Sequence, residues 1–210
     1  MIDFKLYAIT DRHRCAPTPL VDVVSELLDA GITAFQLREK DLNDTELIKL
    51  AQSIAELCHN YQANLFINTH TCIAHDVGAA GVHLPANAEP VDSIKETETG
   101  DNFYIGCSVH SFDAAQKREA EGADFVTYSP IYATASKPGY GPAVGAASLA
   151  EVVKSVKLPV FALGGITPAR VSECLTAGAF GVAVMSGVMS PKGAGGQAKH
   201  FLDFLTSASD

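Results

Sequence analysis

Short hydrophobic runs alternate along this chain with longer stretches in which apolar residues recur every three or four positions. The runs predict strands at Lys5–Thr10, Ala34–Glu39, Ala63–Asn68, Gly81–Pro85, Phe103–His110, Phe125–Ile131, Pro159–Gly165 and Gly181–Gly187. The periodic stretches predict helices over Pro19–Gly31 and Thr45–Tyr61, near 70–79 and 90–98, and over Phe112–Gly122. Further helices run from a Ser148 cap to Val156, onward from Pro168, and over Gln197–Ser207. Asn43 and Asp44 suit the start of the second helix, and the glycines after Ser190 read as a flexible connection to the last one.

Each strand is thus followed by a helix, in one domain covering residues 1–210. Ala30-Gly31, Val77-Gly78-Ala79, Glu121-Gly122-Ala123 and Ala177-Gly178-Ala179 precede the even-numbered strands, with glycine placed to end a helix in the left-handed conformation. That echo, with apolar strand bodies, favours a closed parallel (β/α)8 TIM barrel over an open sheet. A dinucleotide-binding sheet would want a glycine fingerprint after the first strand, where Thr10-Asp11-Arg12-His13 stands.

Composition narrows the function. The 210 residues are 47% hydrophobic and 19% charged, ordinary globular values, with a net charge of −9. That charge and the lack of a Lys/Arg cluster argue against a nucleic-acid surface but leave room for a small anion in a locally basic pocket. No apolar run is long enough to predict a membrane span, and a strand follows the N-terminus with no signal peptide expected. The five scattered cysteines predict reduced thiols in a cytoplasmic setting. A homo-oligomer is compatible with the sequence.

In such a barrel, chemistry sits where strands end. Phe161-Ala162-Leu163-Gly164-Gly165 and Val182-Ala183-Val184-Met185-Ser186-Gly187 end in small residues, which either form a phosphate cradle or only make tight turns. Alternation places Gln36, Arg38 and Lys40 toward the mouth, with Leu37 and Glu39 opposite. Arg38 either binds an anion beside Lys40 or pairs with a carboxylate in the barrel core. His110 is either a proton shuttle or a histidine bonded to the next loop, and His83 reads as structural. Lys137 either closes over an anion or is an exposed loop lysine, and the spacing of His70 and His75 argues against a shared metal.

Together, Gln-Leu-Arg-Glu-Lys (36–40), Phe-Ile-Asn (66–68), Gly-Val-His-Leu (81–84), Gly-Cys-Ser-Val-His-Ser (106–111), Ser-Pro-Ile-Tyr-Ala-Thr-Ala-Ser-Lys (129–137) and Ala-Leu-Gly-Gly-Ile-Thr-Pro (162–168) resemble the thiamine phosphate synthase superfamily. The resemblance spans nearly the whole chain and implies a TIM barrel acting on small phosphorylated thiazoles. On the synthase pattern, Gln36, Arg38, Lys40, Asn68, Ser108 and Lys137 would hold a pyrimidine diphosphate. Thr134, Ser136, Gly165, Met185 and Ser186 would hold a thiazole phosphate, with Gly164 in the same turn.

The synthase pattern also carries two magnesium-holding aspartates, where this chain has Thr69 and the stretch Pro85-Ala86-Asn87-Ala88. Magnesium wants hard oxygen ligands, carboxylates above all. The resemblance is therefore nearest to the thiazole tautomerase branch, which moves a proton on a carboxythiazole phosphate and implies no cofactor. Gly-Val-His-Leu-Pro and the loop Lys137–Pro142 also look like that branch. There the residue matching His110 is implicated in proton transfer. The competing implications are a magnesium-dependent synthase and a non-catalytic thiazole phosphate-binding protein.

Overall fold

The computed structural model describes residues 1–95, 103–134 and 142–207. Strands β1 (Leu6–Ile9), β2 (Ala34–Leu37), β3 (Asn64–Asn68), β4 (Gly81–Leu84), β5 (Tyr104–Val109), β6 (Phe125–Tyr128), β7 (Val160–Leu163) and β8 (Gly181–Val184) pair in parallel. β8 closes on β1, giving a barrel in sequence order. Around it lie α1 (Arg12–Cys15), α2 (Leu20–Asp29), α3 (Asp44–Asn60), α4 (Thr71–Asp76), α5 (Val91–Lys95), α6 (Phe112–Ala120), α7 (Gly145–Ser155), α8 (Pro168–Thr176) and α9 (Ala194–Ser207). The predicted (β/α)8 barrel is the fold. No helix among the described residues is long and apolar enough to cross a membrane.

The glycine echo has its predicted cause. Gly31, Gly78, Gly122 and Gly178 all have φ between +62° and +102°. In each case the next N–H reaches back into the last helical turn, as in Ile32 to Leu27 and Ala79 to Ala74. The α3 end uses the same closure, Ala63 N–H to the Cys58 carbonyl, with Gln62 rather than glycine at φ 55°. The start of α3 is a capping box: Asn43 accepts from Glu46 N–H, and the Glu46 carboxylate accepts from Asn43 N–H. Asn43→Ala should cost about 1 kcal/mol in urea unfolding, with no change in ligand binding.

Two expectations are corrected. Ser148 does not cap α7, which starts at Gly145 after Val144; its hydroxyl pairs with Tyr128 Oη at 2.7 Å. The stretch before Gln197 is not a flexible connection, because Gly195 and Gly196 lie inside α9. Gly195 N–H donates to Glu26 Oε1 at 3.0 Å, and an added Cβ would stand 3.0 Å from the Glu26 carbonyl. Glycine there lets α9 press against α2. Every strand but β3 also ends one to three residues before its predicted end, so most of the polar tails lie beyond the ladder.

The barrel lumen is an aromatic stack. Phe4, Tyr7, Phe66, Phe125 and Phe161 are all buried, and their ring centroids lie 5.2–6.1 Å apart where they meet. Glycine makes room for it: a Cβ on Gly106 would run into the Phe125 ring and stand 2.8 Å from His83 Nδ1. Phe4 enters from the chain terminus, so the lumen is packed on that side, and the polar residues collect at the strands' C-terminal ends.

Candidate active site

A cavity of about 370 Å³ opens at the C-terminal ends of the strands. It brings together Gln36, Arg38, Lys40, Asn68, Ser108, His110, Thr134, Gly164, Gly165, Met185 and Ser186, each anticipated from the strand tails. Ser136 and Lys137 lie outside the described residues. Asn87, Thr127 and Ser129 line it too, though none was expected as a site residue, and so does His83, expected to be structural. A smaller cavity, about 210 Å³, shares Lys40 and Asn68 with the first and is also lined by Glu39, Thr69 and His70.

Alternation past the end of β2 sends Arg38 and Lys40 into the cavity and turns Glu39 the other way, as predicted. Arg38 has no carboxylate partner among the described residues, so the core ion-pair alternative fails there. The Arg38 charge, followed by partial burial, holds the Lys40 ammonium below the usual lysine range. Two cations on one cavity suit a divalent or extended anion.

Below them lies a buried polar layer. His83 Nε2 meets Ser108 Oγ at 3.1 Å and Thr127 Oγ1 at 3.4 Å; its Nδ1 meets Tyr7 Oη at 3.4 Å, which accepts from Gln36 Nε2. Burial, with the Arg38 charge adding to it, pushes His83 down to about 3. The imidazole is neutral near pH 7. Its folded pKa is below the unfolded value of about 6.5, so between those values the unfolded chain binds the extra proton. Stability should therefore fall as pH drops from 6.5, by up to about 1.4 kcal/mol per unit from this group. In urea unfolding at pH 7, 6 and 5, His83→Gln should remove that share of the slope.

His110 sits at the exit of β5. Its Nδ1 lies 2.8 Å from the Ser129 carbonyl, an acceptor only, so Nδ1 carries the proton of the neutral ring. Nε2 is then the basic nitrogen, and His110 lines the cavity. The two readings of His110 are thus compatible: the bond to the next loop fixes the tautomer a shuttle needs.

Opposite stand the ends of β7 and β8. Gly164 and Gly165 have φ of 100° and 64°. Their carbonyls accept from Tyr132 N–H at 3.0 Å and Arg170 Nη1 at 2.6 Å, so these oxygens are committed to protein donors. α8 begins three residues later, with Pro168 at its start. A Cβ on Gly165 would stand 2.6 Å from the Ala133 carbonyl, on top of left-handed strain. Gly165→Ala should weaken binding of inorganic phosphate about tenfold in calorimetry if this turn is the cradle.

The donor set for a divalent cation is poor. No carboxylate lines the main cavity among the described residues, Glu39 lining only the smaller one, and no cluster of three His, Cys, Asp or Glu side chains among those residues could hold a metal. Glu39 faces away and is taken by Thr10 and Arg12. Neutral Asn68, Asn87 and Ser108 do not fit magnesium as carboxylates would. His75 stacks on Phe103 at 4.6 Å. Cys15, Cys58, Cys107 and Cys174 are buried and Cys72 exposed, none of them in a disulfide.

The pattern of the thiamine monophosphate synthase family matches residues 6–188. A Geobacter sulfurreducens protein named "Putative thiamine-phosphate synthase" is 43% identical over 90% of this chain and 88% of its own. A "Thiamine-phosphate synthase" of Methanoculleus marisnigri is 37% identical over 98% of this chain and 97% of its own. Among solved structures, a thiamine phosphate pyrophosphorylase from Pyrococcus furiosus superposes with a TM-score of 0.88 at 31% identity, covering 99% of this chain and 98% of that one.

Proposed function

The chain belongs to the thiamine monophosphate synthase family, enzymes of thiamine biosynthesis, and we propose that it isomerises a carboxythiazole phosphate by metal-independent proton transfer. One observation carries this reading. The mouth holds two cations and a histidine with a fixed tautomer, yet no carboxylate lines it among the described residues. The substrate phosphate docks at the turn of Gly164 and Gly165 and beside Met185 and Ser186, with Thr134 at the edge. Its carboxylate faces Arg38 and Lys40, while Gln36, Asn68 and Ser108 offer hydrogen bonds to the ring. Ser136 and Lys137 keep their proposed contacts with phosphate and substrate as expectations from sequence.

His110 Nε2 takes a proton from the non-aromatic ring precursor and returns one at the exocyclic carbon. The sum is an isomerisation: one C–H bond breaks, another forms, and the ring becomes aromatic. The Ser129 carbonyl stabilises the imidazolium in between through Nδ1–H.

A second reading has its own support. The relatives are named for thiamine-phosphate synthesis, and those names favour coupling of hydroxymethylpyrimidine diphosphate with a thiazole phosphate. The lining chemistry favours the first reading. Side-by-side assays separate them: tautomer conversion should proceed in chelator, and no thiamine phosphate should form from both halves with magnesium. Magnesium-dependent coupling would establish the second reading instead. Tight thiazole phosphate binding with neither turnover would leave a binding protein.

A further inference from the structure

The tail carrying Arg38 and Lys40 lies outside the sheet. β2 ends at Leu37, so residues 38–40 have no ladder to hold them. Two converging cations on an unsupported strand tail would splay apart, and ordering them on binding would cost affinity.

The support comes from the side facing away. Thr10, fully buried just past β1, accepts from Arg38 N–H at 2.9 Å and donates to Glu39 Oε1 at 2.6 Å. Glu39 is buried too, and its carboxylate also accepts from Arg12 N–H at 3.2 Å and Arg12 Nη1 at 3.3 Å. The same guanidinium grips Asp41 through two bonds of 2.6 Å. Lys40 is therefore flanked by two carboxylates, Glu39 and Asp41, both tied to one arginine on α1. We infer that Thr10, with Glu39 behind it, is a positioning residue that replaces the missing ladder and holds Arg38 and Lys40 ready for the anion.

The hydroxyl does this because it accepts from one neighbour while donating to the next. Neither Thr10 nor Glu39 lines the main cavity. Each acts through the backbone of the arm. A purely structural role would be that Glu39 only caps the start of α1 through Arg12 N–H.

The inference rests on the reading of Arg38 and Lys40 as an anion arm, so the test separates the two. Inorganic pyrophosphate is titrated calorimetrically into the full chain and its Arg38→Ala, Thr10→Val, Thr10→Ser and Glu39→Gln variants, with melting temperatures alongside. Arg38→Ala should weaken binding at least about tenfold. Thr10→Val should weaken it about fivefold, with Thr10→Ser within twofold of the parent. Glu39→Gln should shift it in the same direction as Thr10→Val, and serves where the valine variant does not fold. Wild-type affinity in Arg38→Ala would remove the anion arm itself. Weakening by Arg38→Ala with parent-like Thr10→Val and Glu39→Gln would overturn the positioning role alone. Equal weakening by Thr10→Ser and Thr10→Val, following the loss of melting temperature, would reduce Thr10 and Glu39 to structural support and overturn it too.

Discussion

On the proposed tautomerase reading, His110→Asn should lower turnover about 10²–10⁴-fold while leaving product affinity within about twofold. Asparagine can still donate an amide N–H toward the Ser129 carbonyl, now 2.8 Å from Nδ1, so the loop contact has a substitute. What it lacks is a nitrogen that takes up and releases a proton. The loss should appear equally in kcat and kcat/KM, the signature of an interaction made only in the transition state. Unchanged turnover would end the shuttle role. A matching loss of product affinity would make His110 a binding residue instead. Ser129→Ala is the companion variant: it leaves the carbonyl in place, removes only the hydroxyl 3.3 Å from Nδ1, and should change the rate little.

The barrel was legible because it is written in local rules. Among the described residues, four of the five helices that end in the same left-handed closure do so with glycine, so the echo before the even strands showed on the page. The fifth uses Gln62, and no residue type announces it. The mouth was legible for a similar reason: polar residues at period two past an apolar run must face one way. Gln36, Arg38 and Lys40 came from that pattern alone.

Long-range hydrogen bonds were not legible. Ser148 looks like a cap in sequence, but its hydroxyl is claimed by Tyr128, twenty positions away. Gly195 and Gly196 look like a linker until Glu26 is seen against Gly195. The pairing of Thr10 with Glu39 spans 29 positions, and nothing in either residue's neighbourhood hints at it. The choice between the two proposed activities lies at another level again. It turns on Thr69 and residues 85–88, where the resemblance supplied the expected aspartates; Pro85, Ala86 and Asn87 form a wall of the main cavity, and Thr69 lines the smaller one.

That wall yields the second large effect. Arg118→Ala should destabilise the fold by about 3–5 kcal/mol, a large part of an ordinary domain's stability. Arg118 lies on α6, only 3% exposed, and spreads its fork over the loop after β4. Nη2 donates to the Ala86 and Ala88 carbonyls at 3.2 and 3.0 Å; Nη1 donates to the Glu89 carbonyl at 3.0 Å and to Glu121 Oε2 at 2.7 Å. That Glu121 oxygen also accepts from Val91 N–H at 3.2 Å, closing the bracket at the start of α5. Truncation leaves three carbonyls without their donor and a largely buried carboxylate with Lys117 Nζ, 3.7 Å from Oε1, as its one cation among the described residues. The same loop carries Ala86 and Asn87 into the mouth, so KM for the proposed substrate should rise as well. Arg118→Lys should recover only part of the stability, since one ammonium cannot reach acceptors gathered by two branches of a planar fork. Urea unfolding of the three proteins measures this, and a loss below about 1 kcal/mol in the alanine variant would show that the loop holds its shape without the bracket.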